Sequence, residues 1–77
     1  MNINILLFGQ LTDITGIGTI TMEDVADTDS VVQNLHRRFP ALATSKYVVA
    51  VNKNIITGNT LLTQNSTVAL LPPFSGG

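Results

Sequence analysis

Polar and apolar residues alternate almost from the start of the chain, with Asn2 and Asn4 separating Ile3 and Ile5. A period of two marks a strand with one face buried. Extending the phase puts Ile3, Ile5 and Leu7 on the inward side. Leu6 and Phe8 then share the outward side with Asn4, which marks that side as wet. The stretch GQLTDITGIG, with Gly9, Gly16 and Gly18, reads as turns. TITM, Thr19 to Met22, alternates again and predicts a second strand, antiparallel to the first.

EDVADTD is acidic and leads into a helix, whose start Ser30 and Gln33 mark by capping-box spacing. On a helical wheel with Val31 at zero, Leu35 falls at about 40°, Phe39 at about 80° and Val32 at about 100°. One side of the helix is therefore apolar, and Gln33 and Arg37 lie nearly opposite it. Pro40 ends the helix, because the residue before a proline avoids the helical region. Arg37 and Arg38 suit the negative end of the helix dipole.

After a polar loop, KYVVAVN (Lys46 to Asn52) is nearly all apolar and predicts a central strand. KN makes a turn, Ile55-Ile56 a short strand, TGNTLLTQNS further turns and TVALL, Thr67 to Leu71, the last strand. The order predicts an α+β domain: a mixed sheet of about five strands with one main helix on one face. A hairpin, a helix and returning strands is the β-grasp, or ubiquitin-like, order. First and last strands are then neighbours. Because Leu71 alternates with Ala69 and Thr67, it shares the outward face with Leu6 and Phe8, and together they form an apolar patch of the kind that marks a partner site.

At 77 residues the chain is one domain, and 44% hydrophobic residues supply its core. No cysteine is present, which excludes disulfides, cysteine zinc sites and thiol nucleophiles and suits a reducing compartment. Four Lys/Arg against five Asp/Glu give a net charge of −1, without the basic footprint of a nucleic-acid binder. The longest apolar run, YVVAV, has five residues, against about 20 for a membrane span. No basic region precedes the first apolar run, so no signal peptide is expected and a cytoplasmic location is.

Few residues could carry chemistry. His36, the single histidine, flanks the apolar stripe and reads as a boundary residue. Glu23, Asp24, Asp27 and Asp29 lack the calcium-loop pattern and read as a solvated acidic stretch with, at most, a docking role. The glycines match no phosphate-binding loop, and the serines have no histidine and carboxylate to activate them. No metal site is expected.

The tail remains. LLPPFSGG ends on Gly76-Gly77, which could be a frayed end. Pro72-Pro73, however, stops the last strand and favours a stiff, extended exit. From Leu71, six residues reach about 20 Å. Residues 1–71 are thus expected to form the domain and residues 72–77 a flexible tail. Only glycine lets a backbone pass a narrow slot without a Cβ clash, so such a tail can deliver its terminal carboxylate into a partner's active site.

With LLFGQL near the start, AVN (Ala50 to Asn52) in the central strand and TVALLPPFSGG at the end, the whole chain resembles the MoaD/ThiS sulfur carriers. The Pro-Pro pair and the length favour the branch of molybdopterin synthase small subunits over the thiamin carriers. The resemblance implies the following chemistry. An E1-like (MoeB-like) adenylyltransferase uses Mg-ATP to convert the Gly77 carboxylate to an acyl-adenylate, and a sulfur donor converts that to a thiocarboxylate. The carrier then docks on the large (MoaE-like) synthase subunit as part of a hetero-oligomer. Sulfur passes to precursor Z, a cyclic pyranopterin monophosphate, to build the molybdopterin dithiolene. Gly77 is then the reactive residue, Phe74, Ser75 and Gly76 lie in the partner's slot, and Phe8, Ile55 and Leu71 form the interface. The chain itself binds no cofactor and is not catalytic alone. Where many relatives carry Arg-Glu after the first strand, Thr12-Asp13 stands here. Two alternatives stay open: a carrier or modifier of the same shape serving thiamin, tRNA thiolation, cysteine synthesis or protein modification, and an interaction module with an inert tail.

Overall fold

A computed structural model describes residues 2–73. Phe74, Ser75, Gly76 and Gly77, on which the reading of the tail rests, lie outside the described residues. The first alternation is realised in β1, Asn2–Leu7, with Ile3, Ile5 and Leu7 buried. It pairs antiparallel with β2, Thr19–Glu23, placing Ile3 opposite Met22 and Ile5 opposite Ile20. All four side chains belong to the core, the cross-strand packing that stabilises a sheet.

GQLTDITGIG departs from the expectation of turns. It contains a short helix, α1, Gln10–Thr15. Its glycines stand at the two ends: Gly9 caps the start, and Gly16, at φ 75°, turns left-handed and donates its amide to Thr12 O at 2.7 Å. That is a common way to stop a helix. Six residues are too few to display a 3.6-residue period, and only Leu11 is buried.

The main helix, α2, spans Thr28–Arg38 and buries Val31 and Leu35, with Val32 half-buried and Phe39 packed on the core from the C-cap position. It starts at Asp27 instead of through the Ser30–Gln33 box. The Asp27 Oδ1 accepts the Ser30 amide at 3.0 Å. A carboxylate at this position satisfies a free amide and faces the positive end of the helix dipole. Hydrogen bonding from the Ser30 side chain and amide, and from Asn59, holds the Asp27 carboxyl below its usual range. A depressed carboxyl stabilises the fold above its unfolded-state value, and this contribution is lost as pH falls through the folded one. Asn59 also accepts from the Asp29 amide at 2.9 Å, tying the loop before the last strand to the helix start. Pro40 ends α2 as expected, but opens a 3-10 turn, Pro40–Thr44, in place of the polar loop, and Leu42 in that turn is buried.

β3 is Val48–Val51, shorter than Lys46–Asn52, and β4 is Asn54–Ile56. The turn between them is Asn52-Lys53, one residue before KN, with φ 48° and 74°. Positive φ at both central residues matches the right-handed twist of a hairpin, and Asn tolerates it. Lys53 does not tolerate it as well. A left-handed non-glycine residue costs about 1–2 kcal/mol, against about 0.5–1 kcal/mol of extra chain entropy for glycine. Lys53→Gly is therefore expected to stabilise the fold by about 0.5–1 kcal/mol, read as a higher denaturant midpoint at unchanged slope. A lower midpoint would contradict the turn geometry.

β5 is Thr67–Leu71, and the sheet order is β2-β1-β5-β3-β4. β5 therefore takes the centre, parallel to β1 and antiparallel to β3. β3 is an inner strand with β4 outside it. The first and last strands are neighbours, as the sequence pattern requires. Val68 and Leu70 face the helical layer and are fully buried.

Candidate functional site

The face of the sheet away from α2 is where the sequence placed its patch. Sheet register builds it in rows. Leu6 lies beside Ala69, Ala69 beside Ala50, and Ala50 beside Ile55. The next row towards the end of β5 holds Leu71 beside Val48, with Phe8 following Leu6 by two residues. The row on the other side is polar. Thr67 lies beside Asn4, and its amide donates to Asn52 Oδ1 at 3.0 Å.

The middle of the apolar row is two alanines, while larger side chains stand around them. The result is a hollow of about 710 Å³ with Ala50 and Ala69 in its floor. Leu6, Phe8, Leu71 and Ile55 wall it, and Thr67, Asn52 and Lys53 close the polar end. Phe8 is 42% and Ile55 66% exposed, unusual for large apolar residues unless something covers them. Thus Phe8 and Leu71, placed on one face by strand parity, and Ile55, grouped with them only by the family resemblance, line one hollow.

Sequence reasoning missed the floor. Ala50 and Ala69 have no chemistry to flag them, and their importance is that they are small. The parity of the last strand, Thr67, Ala69, Leu71, already held half of the signal. Lys53 was missed because its place depends on the turn residues. Among the described residues it is the one charged side chain lining the hollow, whose lining is otherwise uncharged and mainly apolar.

Pro72 is the first residue past β5 and sits at the edge of this face, next to Leu71. The predicted tail residues Phe74, Ser75, Gly76 and Gly77 lie outside the described residues. Elsewhere, His36 Nε2 lies 2.6 Å from the Tyr47 hydroxyl, with the rings edge to face, which accounts for its place beside the apolar stripe. Burial raises the Tyr47 hydroxyl above its ordinary value. Among the described residues, no three His, Asp or Glu side chains come together to hold a metal. Among them also, no helix is long and apolar enough to cross a membrane.

Residues 5–77 match the ThiS family model. The chain belongs to the ThiS family. Over 81 aligned residues it is 30% identical to the molybdopterin synthase sulfur carrier subunit of Arabidopsis thaliana, covering 100% of this chain and 84% of the relative. Among solved structures it resembles one described as molybdopterin converting factor subunit 1 from Pyrococcus furiosus, with TM-score 0.87, 14% identity and coverage of 95% and 98% of the two chains. It also resembles small archaeal modifier protein 1 from Methanosarcina acetivorans, with TM-score 0.83, 23% identity and coverage of 99% and 96%. A third likeness is to a chain in the complex of subunits 1 and 2 of the molybdopterin-converting factor from Helicobacter pylori, with TM-score 0.76, 21% identity and full coverage of both chains. The fold of this ThiS-family chain is the β-grasp, and its relatives include MoaD-like carriers.

Proposed function

We propose that this chain is the sulfur-carrying small subunit of a molybdopterin synthase. The observation that carries the reading is the whole-chain match to a sulfur carrier subunit of that enzyme. The hollow beside the root of the C-terminal arm supports it. An apolar, largely uncharged face with exposed Phe8 and Ile55 fits a lasting protein partner. In this reading that partner is the large synthase subunit; a chain of this fold is found in complex with a second subunit in the molybdopterin-converting factor of Helicobacter pylori.

In this reading residues 1–71 form the docking domain and residues 72–77 the arm. Gly77 carries the chemistry. A free carboxylate is a poor electrophile, so an activating enzyme first joins it to AMP at the expense of Mg-ATP, with pyrophosphate released. A sulfur donor then displaces AMP and leaves a thiocarboxylate, whose anionic sulfur attacks the pterin precursor; water then cleaves the acyl–sulfur bond, leaving the sulfur on the pterin and returning the Gly77 carboxylate. Phe74, Ser75 and Gly76 pass through the partner's slot, where a residue without Cβ leaves room for the backbone. ATP and magnesium belong to the activating enzyme.

A second reading has support of its own. The same family model and the likeness to an archaeal modifier fit a carrier that serves another thiolation pathway, or a protein modifier. Partner choice separates the two. Co-purification from the native host is expected to recover a large molybdopterin synthase subunit in stoichiometric amount. Recovery of a thiazole synthase, or of covalent protein conjugates, without that subunit would overturn the leading reading.

A further inference from the structure

We infer that Gly9 is a positioning residue for the C-terminal arm: its missing Cβ seats the Pro72 ring and thereby fixes the direction in which the chain leaves the sheet. A Cβ placed on Gly9 would lie 2.7 Å from Pro72 Cγ, with Cδ at 3.5 Å and Cβ at 4.0 Å. The first distance is a clash. A long side chain could swing its tip away, but a proline ring is closed on its own backbone. Making room therefore repuckers the ring or moves residue 72 itself, the first residue of the arm.

Gly9 is required for a second reason, which has to be separated from the first. Its backbone, at φ 58° and ψ −137°, opens the turn in which the Leu11 amide donates to Phe8 O at 3.2 Å. Turns with positive φ at their first central position favour glycine whatever surrounds them. Gly16 supplies the comparison. It too has positive φ, at 75°, yet nothing lies within 4 Å of where its Cβ would be. A change at Gly16 strains a turn, whereas a change at Gly9 strains a turn and displaces Pro72.

The contact lies where displacement matters. The Phe8 amide donates to Leu70 O at 3.1 Å, carrying the pairing of β1 and β5 to their shared end. Phe8 and Leu71 wall the hollow, and each is followed at once by one member of the contact, Gly9 and Pro72. The ring on the glycine thus ties the root of the arm to the face that docks. A partner gripping that face receives the arm at a set angle. The consequence for sulfur transfer rests on the carrier reading proposed above; the contact itself does not.

The experiment uses the full chain and four variants, Gly9→Ala, Gly16→Ala, Pro72→Ala and the double variant Gly9→Ala/Pro72→Ala. In the free protein, proton NMR is expected to show cross-relaxation between the Gly9 α protons and the Pro72 ring. Gly9→Ala is expected to shift the amide resonances of Phe74 and Ser75, and Gly16→Ala to leave them in place. With saturating large subunit, Gly9→Ala and Pro72→Ala are each expected to slow single-turnover sulfur transfer between about tenfold and about a hundredfold, the scale of misplaced reacting groups. Affinity for the subunit stays within about threefold, because the hollow is intact. Gly16→Ala keeps the wild-type rate. Gly9→Ala adds nothing in the Pro72→Ala background, the non-additivity of two residues in contact. Equal slowing by Gly9→Ala in both backgrounds would place its effect in turn strain and overturn the inference. So would a missing cross-relaxation, or unmoved Phe74 and Ser75 resonances. If Gly9→Ala does not fold, Pro72→Ala carries the test from the other side of the contact, and wild-type transfer rates in it would overturn the inference. Wild-type protein that transfers no sulfur while the NMR contact stands would refute the carrier reading alone.

Discussion

Deleting Gly77 is expected to abolish sulfur transfer and leave the fold untouched. The reactive group in this account is the carboxylate at the end of the arm, and shortening the arm by one residue moves it about 3.3–3.6 Å back from the activating enzyme's nucleotide. That is a whole bond length and more beyond the tolerance of a reaction that depends on reacting atoms held about 3–3.5 Å apart. The core is built from residues 3–70, so unfolding free energy is expected to stay within about 0.5 kcal/mol of wild type. Single-turnover transfer and a denaturation curve on the same preparation check both halves. A Gly77-deleted chain that still accepts and transfers sulfur would place the chemistry elsewhere.

The second large effect concerns the hollow. Phe8→Ala and Ile55→Ala together remove the two most exposed apolar walls. Large apolar anchors at the centre of an interface each cost about 2 kcal/mol or more when truncated, about 4 kcal/mol for the pair, so affinity for the large subunit is expected to fall about a thousandfold. Stability is expected to change little, since both side chains already face water. Leu61→Ala is the control. Leu61 is 79% exposed but does not line the hollow, and its truncation is expected to leave affinity unchanged. Isothermal titration of the variants against the large subunit checks this. Equal losses for the control and the double variant would remove the hollow as the docking site.

Much of the fold could be read from the chain because its strongest signals were periodic. Ile3, Ile5 and Leu7, and again Val68 and Leu70, announce a buried face by alternation alone, and that parity also put Leu6, Phe8 and Leu71 on the opposite face. Val31 and Leu35 did the same for α2. What escaped had another physical origin. α1 is held by its ends and by one buried leucine, so it has no repeat to detect. The helix starts at Asp27, whose carboxylate accepts the Ser30 amide, and aspartate and serine are about equally good caps, so spacing alone could not choose between the two positions. The floor of the hollow depends on register across three strands, which places Ala69 between Leu6 and Ala50. The seat of Pro72 on Gly9 joins residues 63 apart, and each alone reads as punctuation.

The central claim is that the end of this chain becomes a thiocarboxylate, and intact mass reads that change directly. After incubation with Mg-ATP, an E1-like adenylyltransferase and a sulfur source, the protein is expected to gain about 16 Da, one oxygen replaced by sulfur, with the gain confined to the C-terminal peptide. No gain beside an enzyme preparation that thiocarboxylates its own carrier would contradict the account.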